Sequence, residues 1–437
     1  MAFRKIYSTS KVIFNSIQYP QQVRSLSLSV VRFEQGKAVA TKVDVKPEWE
    51  RALSEAEKII GQQTSFISLR YLMNDEVTNW GEHIRRLEGS NHPMYETAKL
   101  LFQQGHANNI NKTWGLVVLL VSKMAGFATP PPAADIDSKS GLLKSQKILA
   151  EAVETTCTAN DIHREGILNM QHLQYAGINL PPDSDLIFGN KMAILGGDIL
   201  FGHAGMQFGK LKNHKANILL CTAGRDVADS HFIGDRDIQN NPLPSDPVKK
   251  LEEQKNNPVG FDEIPTDQID NLKPFSLRDI MGTAENEWKL RNTLTTGSLL
   301  GKSCQGALML ANHPEELQKE AYFFGKHLFL GYQASKEFDM FMTEELPPSG
   351  RFNLVSAPVL FHLEADHSLY NEIKKGSESI DNIDYEKVHE IVRNGPGLDK
   401  TKELMNKNNL IATTLLYKFP ESDARRALEN IVLASEH

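Results

Sequence analysis

The stretch Phe188-Gly189-Asn190-Lys191-Met192-Ala193-Ile194-Leu195-Gly196-Gly197-Asp198-Ile199-Leu200 carries apolar residues three and four apart, the period of one face of an α-helix. The spacing continues to Leu211. Gly196, Gly197, Gly202, Ala204 and Gly205 punctuate it with small residues that permit close approach of another helix. Asp198 lies in a mostly apolar segment and must find a hydrogen-bond partner or face polar space. Working outward, helical spacing recurs in Ser68 to Leu87, where Leu69, Leu72, Met73, Val77, Trp80, Ile84 and Leu87 share one face. It recurs again in 95–102, 142–170, 290–310, 317–341 and 424–433. Alternating strand-like runs bounded by turn residues are hard to find. The expected fold class is all-α, a single large helical bundle.

The 437 residues, 40% of them apolar, suffice for a full core. A net charge of −7, with Lys and Arg scattered along the chain, argues against a nucleic-acid partner, which needs a basic face to replace phosphate counterions. Cys157, Cys221 and Cys304 lie far apart with no CxxC spacing, so neither a disulfide framework nor a zinc knuckle is indicated. The longest apolar run, Gly115 to Val121, is far shorter than the roughly 20 residues of a membrane span.

Arg4, Lys5, Lys11, Arg24 and Arg32 all precede the first acidic residue, Glu34, with serines between them, a mitochondrial transit composition. Residues 1–33 therefore read as a transit segment, 34–45 as a linker and 46–437 as one helical domain. Pro47-Glu48-Trp49-Glu50 suits a first helical turn. Within the domain a polar stretch from about 234 to 274 carries six prolines among Asn, Asp and Lys. It reads as an insertion or mobile loop, with too little apolar surface to offset ordering entropy.

The segment Leu149 to Glu165, ending Asp161-Ile162-His163-Arg164-Glu165, resembles the fourth helix of trans-prenyl diphosphate synthases. In that family the helix ends in Asp-Asp-x-x-Asp, whose carboxylates hold magnesium on the allylic diphosphate. Here Ile162 replaces the middle aspartate and Glu165 the last, so Asp161 alone is unchanged. Phe188 to Leu200 resembles the family's Phe-Gly-x-x-x-Ala-Ile-Leu-x-Gly-Asp-x-Leu helix. That likeness implies a subunit-interface role for Gly196, Gly197, Asp198, Gly202 and Gly205, with ordinary core packing as the alternative. Gln333 sets the register of the second motif, which reads Lys336-Glu337-Phe338-Asp339-Met340. An ammonium there opposes a metal ion: two like charges about 4 Å apart repel by roughly 4 kcal/mol at an effective dielectric near 20.

The cations expected to hold diphosphate are missing too. The family's early Gly-Lys-x-x-Arg segment aligns with Ile110 to Trp114, its paired arginines with Asn169 to Leu173, and its Lys-Thr pair with Thr295-Thr296. Loss of these contacts removes the grip on the anion. Phe352 to Leu360 and Phe419 to Leu428 also resemble family segments, so the likeness covers nearly the whole chain after the leader.

The resemblance implies the trans-isoprenyl synthase type of helical bundle and a non-catalytic subunit of a heteromer, a heterotetramer. Its partner, a catalytic polyprenyl diphosphate synthase subunit, would bind the Mg2+ and extend an allylic diphosphate with isopentenyl diphosphate for the ubiquinone side chain in the mitochondrial matrix. No cofactor is expected on this chain alone, and its membrane contact would be peripheral. Other readings stay open. One is weak magnesium-dependent catalysis by Asp161, Glu165 and Asp198. Another is a di-iron bundle, from the Glu-x-x-His spacings Glu364 to His367 and Glu386 to His389. A third is a purely structural or lipid-surface helical protein.

Overall fold

The computed structural model describes residues 47–61, 86–88, 92, 94, 114–167, 181, 184–238, 240–247, 283–347 and 350–435. Residues 1–46, the helical faces expected in 68–85 and 95–102, the segments 110–113 and 169–173, and the polar stretch 248–274 lie outside them. Twelve helices of eight residues or more are described: α1 (Pro47–Ile60), α2 (Trp114–Ala125), α3 (Lys144–Glu165), α4 (Asp185–Lys210), α5 (His214–Ser230), α6 (Ala284–Asn292), α7 (Ser298–Leu310), α8 (Glu315–Met342), α9 (Ala357–Ala365), α10 (Tyr385–Arg393), α11 (Gly397–Leu416) and α12 (Asp423–Ala434). No strand occurs among the described residues, only two isolated bridges. The architecture is all-α.

Local chemistry sets many of the helix starts. Ser184, Asn213, Thr283, Asp384 and Ser422 each accept a backbone N–H of the following helix through the side-chain oxygen, a cap that contributes about 1 kcal/mol. The apolar run 115–121 lies in α2, whose residues Trp114 to Ser122 are all buried. A helix that is apolar all round belongs inside other helices, and α1, α3, α7 and α12 surround this one.

The main core joins Leu53, Leu120, Leu149, Leu300, Phe324 and Leu428, among others, from α1, α2, α3, α7, α8 and α12. A second gathers around Phe341, Leu354, Val388 and Val392, and a third, between α3 and α4, around Ile162, Met192 and Leu200. Helices α7 and α8 approach backbone to backbone through Gly301 and Gly325. A Cβ on Gly301 would lie 2.8 Å from the carbonyl oxygen of Tyr322, and one on Gly325 would lie 2.9 Å from that of Leu300. Because backbone cannot swing aside, Gly301→Ala is expected to force the helices apart and cost about 2 kcal/mol, read as a lowered urea midpoint. An unchanged midpoint would contradict the tight crossing.

The start of the polar stretch is pinned. Arg291 of α6 donates to the carbonyl oxygens of Ile233 (2.8 Å) and Leu243 (3.2 Å), and its guanidinium is paired with buried Glu287. Asp237 accepts from Asn241 N–H (2.7 Å), Asn241 Nδ2 (2.9 Å) and Ile380 N–H (3.1 Å). Charged side chains bonding to backbone, with Ile233 and Leu243 buried beneath, supply the order that apolar composition alone does not suggest for residues 234–247.

Candidate functional site

Helix α3 brings the first motif to its C-terminal turn. Ile162 is fully buried in the third core, with Leu87, Met94 and Met192. The residue that the resemblance aligns with the family's middle aspartate is thus a packing residue. Asp161 is half-buried and Arg164 exposed, while the Glu165 side chain lies outside the described residues. His163 turns onto α4, where its Nε2–H donates to the carbonyl oxygen of Ile194 (3.0 Å) beside the Asp198 carboxylate at 3.6 Å. The ring fits because Gly197 has no Cβ: any side chain there would overlap the imidazole.

The second motif lies in the last turns of α8 and is likewise absorbed into the fold. Lys336 is exposed, its Nζ 5.3 Å from the centre of the Tyr332 ring. Met340 packs against the second core, and its carbonyl oxygen accepts from His389 Nε2 (3.2 Å). Glu337 is buried and points inward. Its Oε2 accepts Trp288 Nε1–H (2.6 Å) and the Ala357 N–H (2.8 Å), and its Oε1 accepts Gln333 Nε2–H (2.8 Å). Burial pushes this carboxyl up to about 7 against the opposing effect of the three donors. One side chain therefore fastens α8 to α6 and to the start of α9.

The positions that the resemblance aligns with the family's cations carry other chemistry. Trp114, 2% exposed, meets Phe329 and Tyr332 edge-on at 5.8 and 5.3 Å between ring centres. Trp49 of α1 closes the group, 4.6 Å from Tyr332 and 6.3 Å from Trp114. Where a guanidinium would need an anion and water, four rings now pack on one another. Thr295 sits in a five-residue π-type turn, Thr293–Gly297, with ψ at −126°, the kind of helix defect common at functional sites. Its hydroxyl donates to the carbonyl oxygen of Asn292 (2.8 Å).

One turn further, α5 and α7 are joined by a buried polar group that sequence reading missed. Asp226 accepts from Lys302 Nζ (2.7 Å) and from the Ser298 hydroxyl, and Lys302 also reaches Thr222 Oγ1 (3.0 Å). These partners are more than 70 residues apart, so no local spacing announces them. The aromatic closure is equally long-range: Trp49 reads only as part of a helix start.

Ile162, Lys336, Glu337 and Met340 do not fit a magnesium ion. One position is apolar and buried, one is cationic, one is a thioether, and Glu337 spends its oxygens on protein donors. Among the described residues, no three His, Cys, Asp or Glu side chains gather in a metal-binding group. One member of each Glu-x-x-His pair is engaged elsewhere: Glu364 accepts the Ala284 N–H (3.1 Å) and His389 stacks on Phe341.

The α4 and α5 surfaces present another feature. Gly196 and Gly197 are buried, whereas Asp198, Gly202 and Gly205 face outward. Around them Ile194, Leu195, Ile199 and Met206 are 38–49% exposed, and Ile218 of α5 is 53% exposed. A Cβ on Gly202, Gly205 or Gly209 would meet open space. Two helices thus display an apolar, glycine-notched face.

The chain is 34% identical over 388 residues to the human all trans-polyprenyl-diphosphate synthase PDSS2, across 88% of this chain and 87% of that one. The chain belongs to the trans-polyprenyl diphosphate synthase family. The mitochondrial hexaprenyl pyrophosphate synthase of Saccharomyces cerevisiae, another relative, is 29% identical over 315 residues, 69% of this chain and 64% of that protein. No family model matches. Solved structures share the synthase fold. The geranylgeranyl pyrophosphate synthase of Bacteroides thetaiotaomicron aligns with a TM-score of 0.52 at 14% identity, over 88% of this chain and 99% of that one. A decaprenyl diphosphate synthase from Rhodobacter capsulatus aligns at 0.51 and 15%, over 84% and 98%. Within a polyprenyl synthase frame, Ile162, Glu337 and Met340 of this member are bound into its cores and its buried hydrogen bonds.

Proposed function

We propose that this polyprenyl synthase homologue is the non-catalytic subunit of a heteromeric enzyme, whose catalytic partner, a homologue with intact aspartate motifs, binds Mg2+ and adds isopentenyl units to an allylic diphosphate. The observation that carries the reading is Glu337, the carboxylate retained in the second motif, which faces inward onto Trp288 and the Ala357 N–H. Ile162 in the first core-facing motif position and the Trp114 ring cluster support it.

The role left to this chain is to bind and orient. The apolar α4–α5 face is suited to a homologous subunit, because such an interface needs a dry centre and close backbone approach. A heterotetramer, two copies of each chain, is the proposed assembly. The basic leader and the mitochondrial relatives of Yarrowia lipolytica and S. cerevisiae favour a mitochondrial site, in the matrix, with the ubiquinone side chain as the product's destination. No described helix is long and apolar enough to cross a membrane, so any membrane contact in this reading is peripheral.

The test is reconstitution. The mature chain, a catalytic homologue, and their mixture are each supplied with Mg2+, allylic diphosphate and isopentenyl diphosphate. This chain alone is expected to give no polyprenyl product, and the mixture to give a stable complex with altered rate or product length. Robust turnover by the chain alone, or a homologue indifferent to its presence, would overturn the proposal.

A further inference from the structure

We infer that the loop following α5, residues 231–238 and 240–243, is a preformed apolar prong that extends the α4–α5 face onto the homologous catalytic subunit, with Phe232 and Ile238 as its contact residues; this rests on the heteromeric reading above. Phe232 is 73% exposed and Ile238 59%. Large apolar side chains left in water forgo roughly 2 kcal/mol of burial each, and a loose loop would fold them under. This loop is held so that they stay out.

The bracing comes from three sides. Beneath the loop, Arg291 holds the carbonyl oxygens of Ile233 and Leu243, and Ile233 and Leu243 are buried. Across the loop, Leu243 N–H donates to the Asp235 carbonyl oxygen (2.8 Å), and Arg236 bridges to Pro242. Within it, the Arg236 guanidinium donates to the carbonyl oxygens of Asn240 (2.8 Å) and Ser230 (3.2 Å), and Asp237 takes Asn241 and Ile380. Gly234 adopts φ +73°, and a Cβ there would strike the Arg291 guanidinium. A surface ordered before its partner arrives avoids the entropy of ordering on binding.

Position on the fold selects the occupant. The exposed residues Ile218, Cys221, Arg225 and Ala228 follow one another at intervals of three, four and three along α5, and Phe232 falls four residues beyond Ala228. The prong is therefore continuous with the helical face proposed to meet the partner. Exposed Asp229 and Asp235 flank Phe232, which disfavours insertion into an anionic lipid surface and is compatible with a polar interface rim around an apolar contact.

The experiment measures the affinity of the full mature chain for the catalytic homologue, with three variants. Phe232→Ala/Ile238→Ala is expected to weaken the complex tenfold or more while leaving the thermal midpoint of the isolated chain unchanged. Met206→Asp, on the exposed face of α4, should abolish the complex, and Glu316→Ala, exposed on α8, should not alter it. If Met206→Asp abolishes binding and the double variant binds as wild type, the prong is refuted and the heteromer stands. If Met206→Asp binds normally, the α4–α5 interface and the prong fall together. A double variant that instead reduces self-association of the isolated chain, or its binding to phosphatidylcholine–cardiolipin vesicles, with the heteromer unaffected, assigns the loop to those occupants and overturns the inference.

Discussion

Replacing Asp226 by alanine is expected to destabilise the chain by about 4 kcal/mol, because it strands a buried lysine. The Lys302 side chain is only 7% exposed and its ammonium lies 2.7 Å from the Asp226 carboxylate. Without the carboxylate, Thr222 Oγ1 at 3.0 Å remains as a neutral acceptor. The Ser298 hydroxyl loses its acceptor in the same change. The companion variant Asp226→Ala/Lys302→Met removes both charges and should regain most of the loss, since an apolar pair of similar volume tolerates burial well. Equilibrium urea unfolding of the three proteins measures this. A single variant as stable as wild type would show that the pair does not hold α5 on α7.

Glu337→Ala is expected to cost about 3 kcal/mol, since it leaves Trp288 Nε1–H and the Ala357 N–H buried without their acceptor, each an unmet donor worth about 1–3 kcal/mol. Glu337→Gln keeps an acceptor oxygen and should cost less. The same residue gives stability a pH dependence with a definite sign. Its carboxyl titrates near 7 in the folded chain against an ordinary value of 4.5, so between those values the native state holds a proton that the unfolded chain has released. Stability from this group therefore falls as pH rises from 4.5 to about 7 and is level above that. The full span corresponds to about 3 kcal/mol. Glu337→Gln should remove that slope, and an unaltered pH profile would show that another group sets it.

Much of the fold was legible in the sequence because its signals are local. Helical spacing from Phe188 to Leu211 became α4, and the apolar run at 115–121 became a helix buried on every side. The changed motif letters were equally plain: Ile162, Lys336 and Met340 stand where carboxylates are expected. What replaced the site was not legible, since each replacement is made by residues distant in the chain. Glu337 stands in the sequence as one letter of the second motif, and its partners Trp288 and Ala357 come from other helices. Trp114 aligns in the sequence with the end of the Gly-Lys-x-x-Arg segment, and only the fold brings Trp49 and Tyr332 to it. Gly196 and Gly197 share a run with Gly202 and Gly205, but helix rotation sends the first two inward and the others out. The pinned loop at 231–238 and 240–243 was hidden for a different reason: its order comes from Arg291 and Asp237 bonding to backbone, which composition does not reveal.

The ring cluster around Trp114 also limits what position 114 can hold. An arginine there would enter a space walled by Trp49, Phe329 and Tyr332, its charge taken out of water among aromatic faces. Room for an anion beside it would come only by shrinking those rings, and each such change would loosen the main core. Tightness in the core and room for a charged ligand are thus alternatives at this one address.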